Sequence, residues 1–249
     1  MKEKYSLTDL GAANWLLGIE ITRDLEGQSI LLSQSSYIDS ILTRFNFTDV
    51  KPSAVPIDPS ICFTKDQSPQ TPEKITNMCE VPYCEAISSL HHCAVATWPD
   101  LAFPVSLLAQ FMENPGRAHW EAVKRVFHFL SGTKNWELVY GATSDGLEKF
   151  TDADRSLQEH QHAISGYVFL MNGGAISWSS KRQSLVTLST AESEYVAAAY
   201  AAKEALWLCQ MIGEIYQPLE KLITLYLVHI LDNAYLDILG TMFHQIMLG

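Results

Sequence analysis

The chain has 249 residues, 47% of them hydrophobic, and 28 acids against 17 Lys and Arg give it a formal net charge of -11. That length can bury the core of one large or two small domains, and nothing in the composition marks a low-complexity or disordered protein. The acidic balance opposes tight non-specific binding to nucleic acid, which needs basic surface to displace counterions, so any such role must rest on local basic patches or on metal ions.

The amino terminus, "MKEKYSLTDLG", has no apolar signal core, and the longest apolar run, "LITLYLVHIL", is about half of the roughly 20 residues a membrane helix needs. A soluble intracellular protein, cytoplasmic or nuclear and without a membrane partner, is expected. "GAANWLLGIEITRDLEGQSILLSQ" reads as two strands around the turn "LEGQS". A helix follows in "SQSSYIDSILTRFNF", where Ile38, Ile41, Leu42 and Phe45 repeat on one face behind a serine cap. Five prolines between Pro52 and Pro72 mark a loop or linker.

Three helical patterns come next, over about 82–96, 99–113 and 117–131. The third places Trp120, Val123, Phe127 and Leu130 on one side, turns Lys124, Arg125 and His128 elsewhere, and stops at Gly132. Those bases read first as a solvated face and second as a phosphate-contacting surface. The five cysteines, odd in number and irregularly spaced, argue for reduced thiols. Cys79, Cys84 and Cys93, with His91 and His92 between them, admit a zinc reading, but the spacing is not that of paired knuckles and ordinary buried cysteines compete with it.

After about residue 145 the pattern changes. "LEKFTDADRS" reads as a short strand ending in acids, and "AISGYVFLMNGGAISWSS" as two strands about an Asn-Gly-Gly turn. "LSTAESEYVAAAYAAKEALWL" is a helix, and the strand "LITLYLVHIL" follows Pro218. Strand, hairpin, helix and strand describe an α/β domain with a mixed sheet, so the expected whole is α+β or α/β, with a strand-hairpin and helical region over 1–145 and a second domain over 146–249.

The two glutamates of "AESEY" do different work. Ser189 and Glu192 have capping-box spacing, which gives Glu192 a structural use. Helical spacing from Glu194 runs through Ala198, Ala201, Ala205 and Leu208, so Glu194 heads an apolar face, where a carboxylate needs hydrogen bonds, a raised pKa or a cation. Asp152 lies in or at the end of one strand, and Asp232 directly follows another. Strand ends and the starts of helices gather ligands in such sheets, so Asp152, Glu194 and Asp232 are candidates to converge on Mg²⁺ or Mn²⁺. Against this stands a plainer reading, with Asp152 a turn residue at a strand end and Asp232-Asn233 a helix cap. Asp154 competes with Asp152 as first ligand.

"LTDLGAANWLLGIEITRD", "LSQSSYIDSILTRF", "KPSAVPID", "HWEAVKRVFHFLSGT", "FTDAD", "SGYVFLMNGGAISWSSKRQ" and "LSTAESEYVAAAYAAKEALWL" occur in an order that resembles the Pol polyprotein of copia-type LTR retrotransposons. The resemblance covers the C-terminal part of the reverse transcriptase, with thumb- or connection-like helices, and the RNase H domain after it. It implies cleavage of the RNA strand of an RNA/DNA hybrid by two Mg²⁺ ions held by four carboxylates, three of which map onto Asp152, Glu194 and Asp232. It also implies that Trp15, Leu16 and Gly18, in a strand like that near the primer grip, help to hold a primer end. Lys181 and Arg182 of "SSKRQ" are further candidates for nucleic-acid contact. The implied partners are the hybrid and the remainder of a Pol polyprotein.

The departures bear on activity. The polymerase aspartate motif would lie upstream of Met1, so no DNA synthesis is expected. Arg155 replaces a tryptophan, Trp98 replaces the arginine of a "TRPD" motif, and Gln161 and His162 stand where the family has a basic pair. The chain stops at Gly249, before the segment expected to bring the fourth carboxylate, so ribonuclease activity is expected to be low or nil. The competing reading is a catalytically inactive remnant that at most binds nucleic acid or protein.

Overall fold

The computed structural model describes residues 11–141, 147–154, 162–215 and 226–227. The first strands are β1 (Trp15–Leu16), β2 (Ile19–Asp24) and β3 (Ser29–Ser33). The expected turn lies between β2 and β3, where Asp24 Oδ1 accepts the N–H groups of Glu26 and Gly27 at 3.0 and 2.9 Å. β1 is additional. It pairs with β2 around Leu17 and Gly18, both at positive φ (51° and 82°), a two-residue turn whose twist matches that of the strands it joins.

Five helices follow: α1 (Ser35–Arg44), α2 (Pro72–Cys79), α3 (Tyr83–Ala96), α4 (Ala102–Ala109) and α5 (Arg117–Thr133). The three long patterns of the sequence correspond to α3, α4 and α5, with a 3₁₀ turn at Pro99–Leu101 ahead of α4. α2 lies at the end of the proline-rich stretch, with Pro72 in its first turn, where a missing N–H costs nothing. α1 buries Ile38, Ile41 and Leu42 as its spacing requires, but the serine cap is replaced. Gln34 occupies the cap position without a capping bond, and its Oε1 instead accepts from Thr97 Oγ1 at 2.7 Å.

α5 supplies the centre of this core. Val123, Val126, Phe127 and Leu130 have no exposed surface, and Phe127 stacks on Phe47 with ring centroids 4.9 Å apart. Its bases serve a solvated face: Lys124 pairs with Glu121 at 2.6 Å and Arg125 with Asp58 at 3.6 Å. The chain then returns as β4 (Leu138–Tyr140), which closes the first sheet against β3 in the antiparallel order β1-β2-β3-β4.

The second sheet holds β5 (Leu147–Asp154), β6 (Ile164–Met171), β7 (Gly174–Arg182) and β8 (Tyr226–Leu227) in the order β7-β6-β5-β8. β6 is antiparallel to both neighbours, whereas β8 runs parallel to β5, which makes the sheet mixed as expected. Asn172 and Gly173 form the hairpin turn, both at positive φ. The long helix α6 (Thr190–Ile215) lies over one face, with Ala201, Ala205 and Leu208 packed on Phe169. On the opposite face Val168, Leu170 and Ala175 enclose Leu138 of β4. The protein is therefore a mixed α/β molecule with six helices among the described residues. None of its described helices is long and apolar enough to cross a membrane.

Candidate functional site

β5 alternates. Leu147 belongs to the cluster under α6, whereas Phe150 packs with Leu138 and Val168 on the other face. Asp152 shares the side of Phe150 and stands opposite Gly166 of β6, which offers no side chain to cover it. It is half-buried, and its Oδ1 accepts the N–H of Ala153 at 2.6 Å. Asp154 pairs in register with Ile164.

Glu194 sits in the second turn of α6 and is half-buried. The buried stripe of this helix is Ser193, Ala197, Ala201, Ala205, Leu208 and Ile212, so Ser193 heads the apolar face and Glu194 lies at its margin. Ala201, Ala205 and Leu208 are buried as read, and the correction is confined to the first two turns, where the stripe runs back from Ala201 by steps of four, through Ala197 to Ser193, and not by a step of three to Ala198. Glu192 caps the helix, as its spacing indicates. Its own N–H donates to Ser189 Oγ at 3.2 Å, and its carboxylate takes the N–H of Leu188 at 2.7 Å, one residue earlier than a standard capping box.

A residue outside the carboxylate motifs links these elements. Gln183, directly after β7, is only 6% exposed and donates from Nε2 to Ser165 Oγ at 2.9 Å and to the carbonyl of Ser193 at 2.8 Å. Ser165 pairs in register with Ala153. Asp152 and Glu194 are thus each one residue from the ends of a path running Ala153, Ser165, Gln183, Ser193. The available signal was the placement of a glutamine at the end of a strand, just ahead of a helix cap, and composition does not single it out.

The structure brings together the strand of Asp152 and the helix of Glu194. Asp152 leaves β5 on the side away from the body of α6. Asp232, the third expected ligand, lies outside the described residues, as do Arg155 and Gln161. Among the described residues no three His, Cys, Asp or Glu side chains gather as a metal group. That removes the zinc reading: Cys93 has no exposed surface and burial pushes its thiol up to about 12, while Cys79 and Cys84 are exposed. "Ordinary buried cysteines" holds for Cys93 and not for the other two. In kind, the two described carboxylates suit a hard divalent ion such as Mg²⁺ or Mn²⁺, which prefers oxygen donors.

Of the candidate nucleic-acid contacts, Lys181 is exposed on β7, whereas Arg182 is half-buried with a sealed Nε that has no hydrogen-bond partner. Trp15 is 54% exposed and Gly18 is exposed, both at the β1–β2 hairpin. Trp98, where an arginine was expected, is fully buried and lies parallel to Trp136 with centroids 6.2 Å apart. Two residues on, Asp100 is half-buried overall, but its Oδ2 is sealed and unpaired, and burial raises its pKa to about 7.

No protein-family model matches the chain. The chain belongs to the retrovirus-related Pol polyproteins of transposons, and within them to the copia type. It is 39% identical over 216 residues to the retrovirus-related Pol polyprotein from transposon TNT 1-94 of Nicotiana tabacum, a match covering 86% of this chain and 16% of that protein. The retrovirus-related Pol polyprotein from transposon RE1 of Arabidopsis thaliana is 32% identical over 217 residues, 86% of this chain and 14% of that protein. The secreted RxLR effector protein 161 of Plasmopara viticola is 41% identical over 133 residues, 53% of this chain and 94% of that protein. The chain thus spans about a sixth to a seventh of the length of the two plant polyproteins.

Proposed function

We propose that residues 1–145 are the C-terminal part of a reverse transcriptase and that residues 146–249 are an RNase H-type domain. Its nominal activity is metal-dependent cleavage of the RNA strand of an RNA/DNA hybrid. The observation that carries this reading is the setting of β5. The strand of Asp152 lies between antiparallel β6 and parallel β8, and α6 crosses it with Glu194 in its second turn. Family membership in the Pol polyproteins supports it.

Carboxylates gathered at one place repel unless their charge is offset, and a hard divalent cation offsets it. Asp152 and Glu194 would hold Mg²⁺ or Mn²⁺, with Asp232 as third ligand. The ion, when bound, supplies an activated water and stabilises the leaving oxygen of the phosphodiester. The Ala153 N–H on Asp152 Oδ1 fixes the orientation of that carboxylate. Trp15, Gly18, Lys181 and Arg182 would contact nucleic acid.

A second reading, a non-catalytic segment that binds hybrid or protein partners, is favoured by the net charge of -11 and by the sealed Nε of Arg182. The test is Mg²⁺-dependent cleavage of a labelled RNA/DNA hybrid by purified chain, beside Asp152→Asn and Glu194→Gln. Cleavage lost in both variants supports the enzyme. Equal cleavage in all three proteins is contamination and removes it, and binding of the hybrid without cleavage leaves the second reading.

A further inference from the structure

We infer that Gln183 is a positioning residue for Glu194: it braces the first turns of α6 against β6 through Ser193, an inference that rests on the reading of Asp152 and Glu194 as ion ligands. Apolar anchorage near that carboxylate is slight: one buried alanine, Ala197, lies a turn away. The cluster of Ala201, Ala205 and Leu208 on Phe169 begins seven residues after Glu194, about 10 Å along the axis at 1.5 Å per residue. Around Glu194, by contrast, Thr190, Ala191, Glu192 and Tyr195 are exposed. The opening turns of a helix lack backbone partners for their N–H groups and fray first unless something holds them.

Gln183 supplies that hold. Its amide nitrogen has two hydrogens, and each is used, one on Ser165 Oγ and one on the carbonyl of Ser193. Its backbone is fixed as well. The N–H donates to the carbonyl of Ala163 at 2.7 Å, and the carbonyl oxygen lies 3.0 Å from His162 Nδ1. Ser193 has no exposed surface, and its Oγ donates to the carbonyl of Thr190 at 2.7 Å, so the brace reaches the first residue of the helix. Buried bonds of this kind are costly to break because water does not replace them. A ligand carboxylate works only when held to about 0.5 Å, and Glu194 is covalently next to the braced carbonyl.

Asparagine is one methylene too short to span both partners. An ionised glutamate has no proton to give and would face the Ser193 carbonyl with like polarity. Leucine keeps the volume and makes neither bond.

The test uses the full chain and two readouts besides activity: amide hydrogen exchange along α6, and Mn²⁺ binding followed by the electron paramagnetic resonance of the free ion. In Gln183→Leu, exchange over 190–196 should rise about tenfold or more while 205–212 is unchanged, and the Kd for Mn²⁺ should rise about tenfold. Ser165→Ala, which keeps the bond to Ser193, should change both by less than about threefold. If Gln183→Leu fails to fold, Gln183→Asn takes its place with the same expected contrast. Unchanged exchange over 190–196, or a rise spread equally over 205–212, would overturn the inference, since Gln183 would then be idle or merely part of the core. Wild-type chain that binds no Mn²⁺ would instead sink the ion-ligand reading, leaving the exchange contrast to decide the brace alone.

Discussion

The indole Nε1 of Trp178, on β7, donates to the carbonyl of Ala94 in the last turn of α3 at 2.6 Å. The final four carbonyls of a helix have no partner within it, so the second sheet satisfies a group that the first core leaves open. Trp178→Phe keeps most of the packing and loses this bond. Urea unfolding should show a loss of about 1 kcal/mol, and Trp178→Ala a loss of about 3 kcal/mol or more. A value near zero for both would mean that the two parts of the molecule are not held together here.

Gly174, at the start of β7, lies against Tyr140 and Val139 of β4. A Cβ there would stand 2.5 Å from Tyr140 Cδ1 and 2.7 Å from the Val139 carbonyl oxygen. Tyr140 has little room to yield, because its hydroxyl donates to the carbonyl of Ala175 at 2.6 Å. Gly174→Ala should cost about 1–3 kcal/mol by overpacking, read as a fall in the denaturation midpoint. Tyr140→Phe, which removes one bond and no volume from the crowded spot, should cost less.

Asp100 sets a pH dependence. Its pKa, raised to about 7 by burial, exceeds the ordinary carboxylate value of 3.8, so the folded chain holds this proton more tightly than the unfolded chain does. The stabilising contribution is complete below about pH 4 and is lost as the pH rises toward 7. Asp100→Asn removes that dependence. The stability difference, variant minus wild type, should therefore grow between pH 4 and 7.5, reaching on the order of a few kcal/mol. Thermal melts across that range check it, and a flat difference would contradict the sealed carboxyl.

Leu17 carries a positive φ of 51° and is 80% exposed, a conformation that suits asparagine or glycine better than leucine. Leu17→Asn should raise stability by about 1 kcal/mol, seen as a higher Tm. If the hairpin of Trp15 contacts nucleic acid, the same variant should bind a labelled hybrid less well despite being more stable, which is the pattern of strain kept for function.

Local signals account for what was legible. The 3.6-residue apolar repeat of α5 and the Asn172-Gly173 turn depend on neighbours in the chain, and both stand as read. β1 is not legible because its turn uses Leu17-Gly18 in place of the Asn-Gly or Asp-Gly pair that marks such hairpins. α2 adjoins the proline-rich stretch, whose turn residues mask it although Pro72 is a helix-start signal. At the candidate site, the separation of Glu192 as a cap from Glu194 could be read from spacing alone. Gln183 could not, because its partners Ser165 and Ser193 lie 18 and 10 residues away on either side and only folding brings them into reach.

The chain alone, then, determined most of its secondary elements, the mixed character of the second sheet and its place among the Pol polyproteins, because periodicity, turn chemistry and motif order are properties of residues in sequence. Tertiary structure decided the pairing of β4 with β3 across more than a hundred residues, the face on which Asp152 stands, the stripe that α6 buries and the brace at Gln183. Each of these depends on which surfaces meet, and a rotation of one residue in a strand or helix, invisible in the pattern of apolar positions, moves a side chain from the core to its edge.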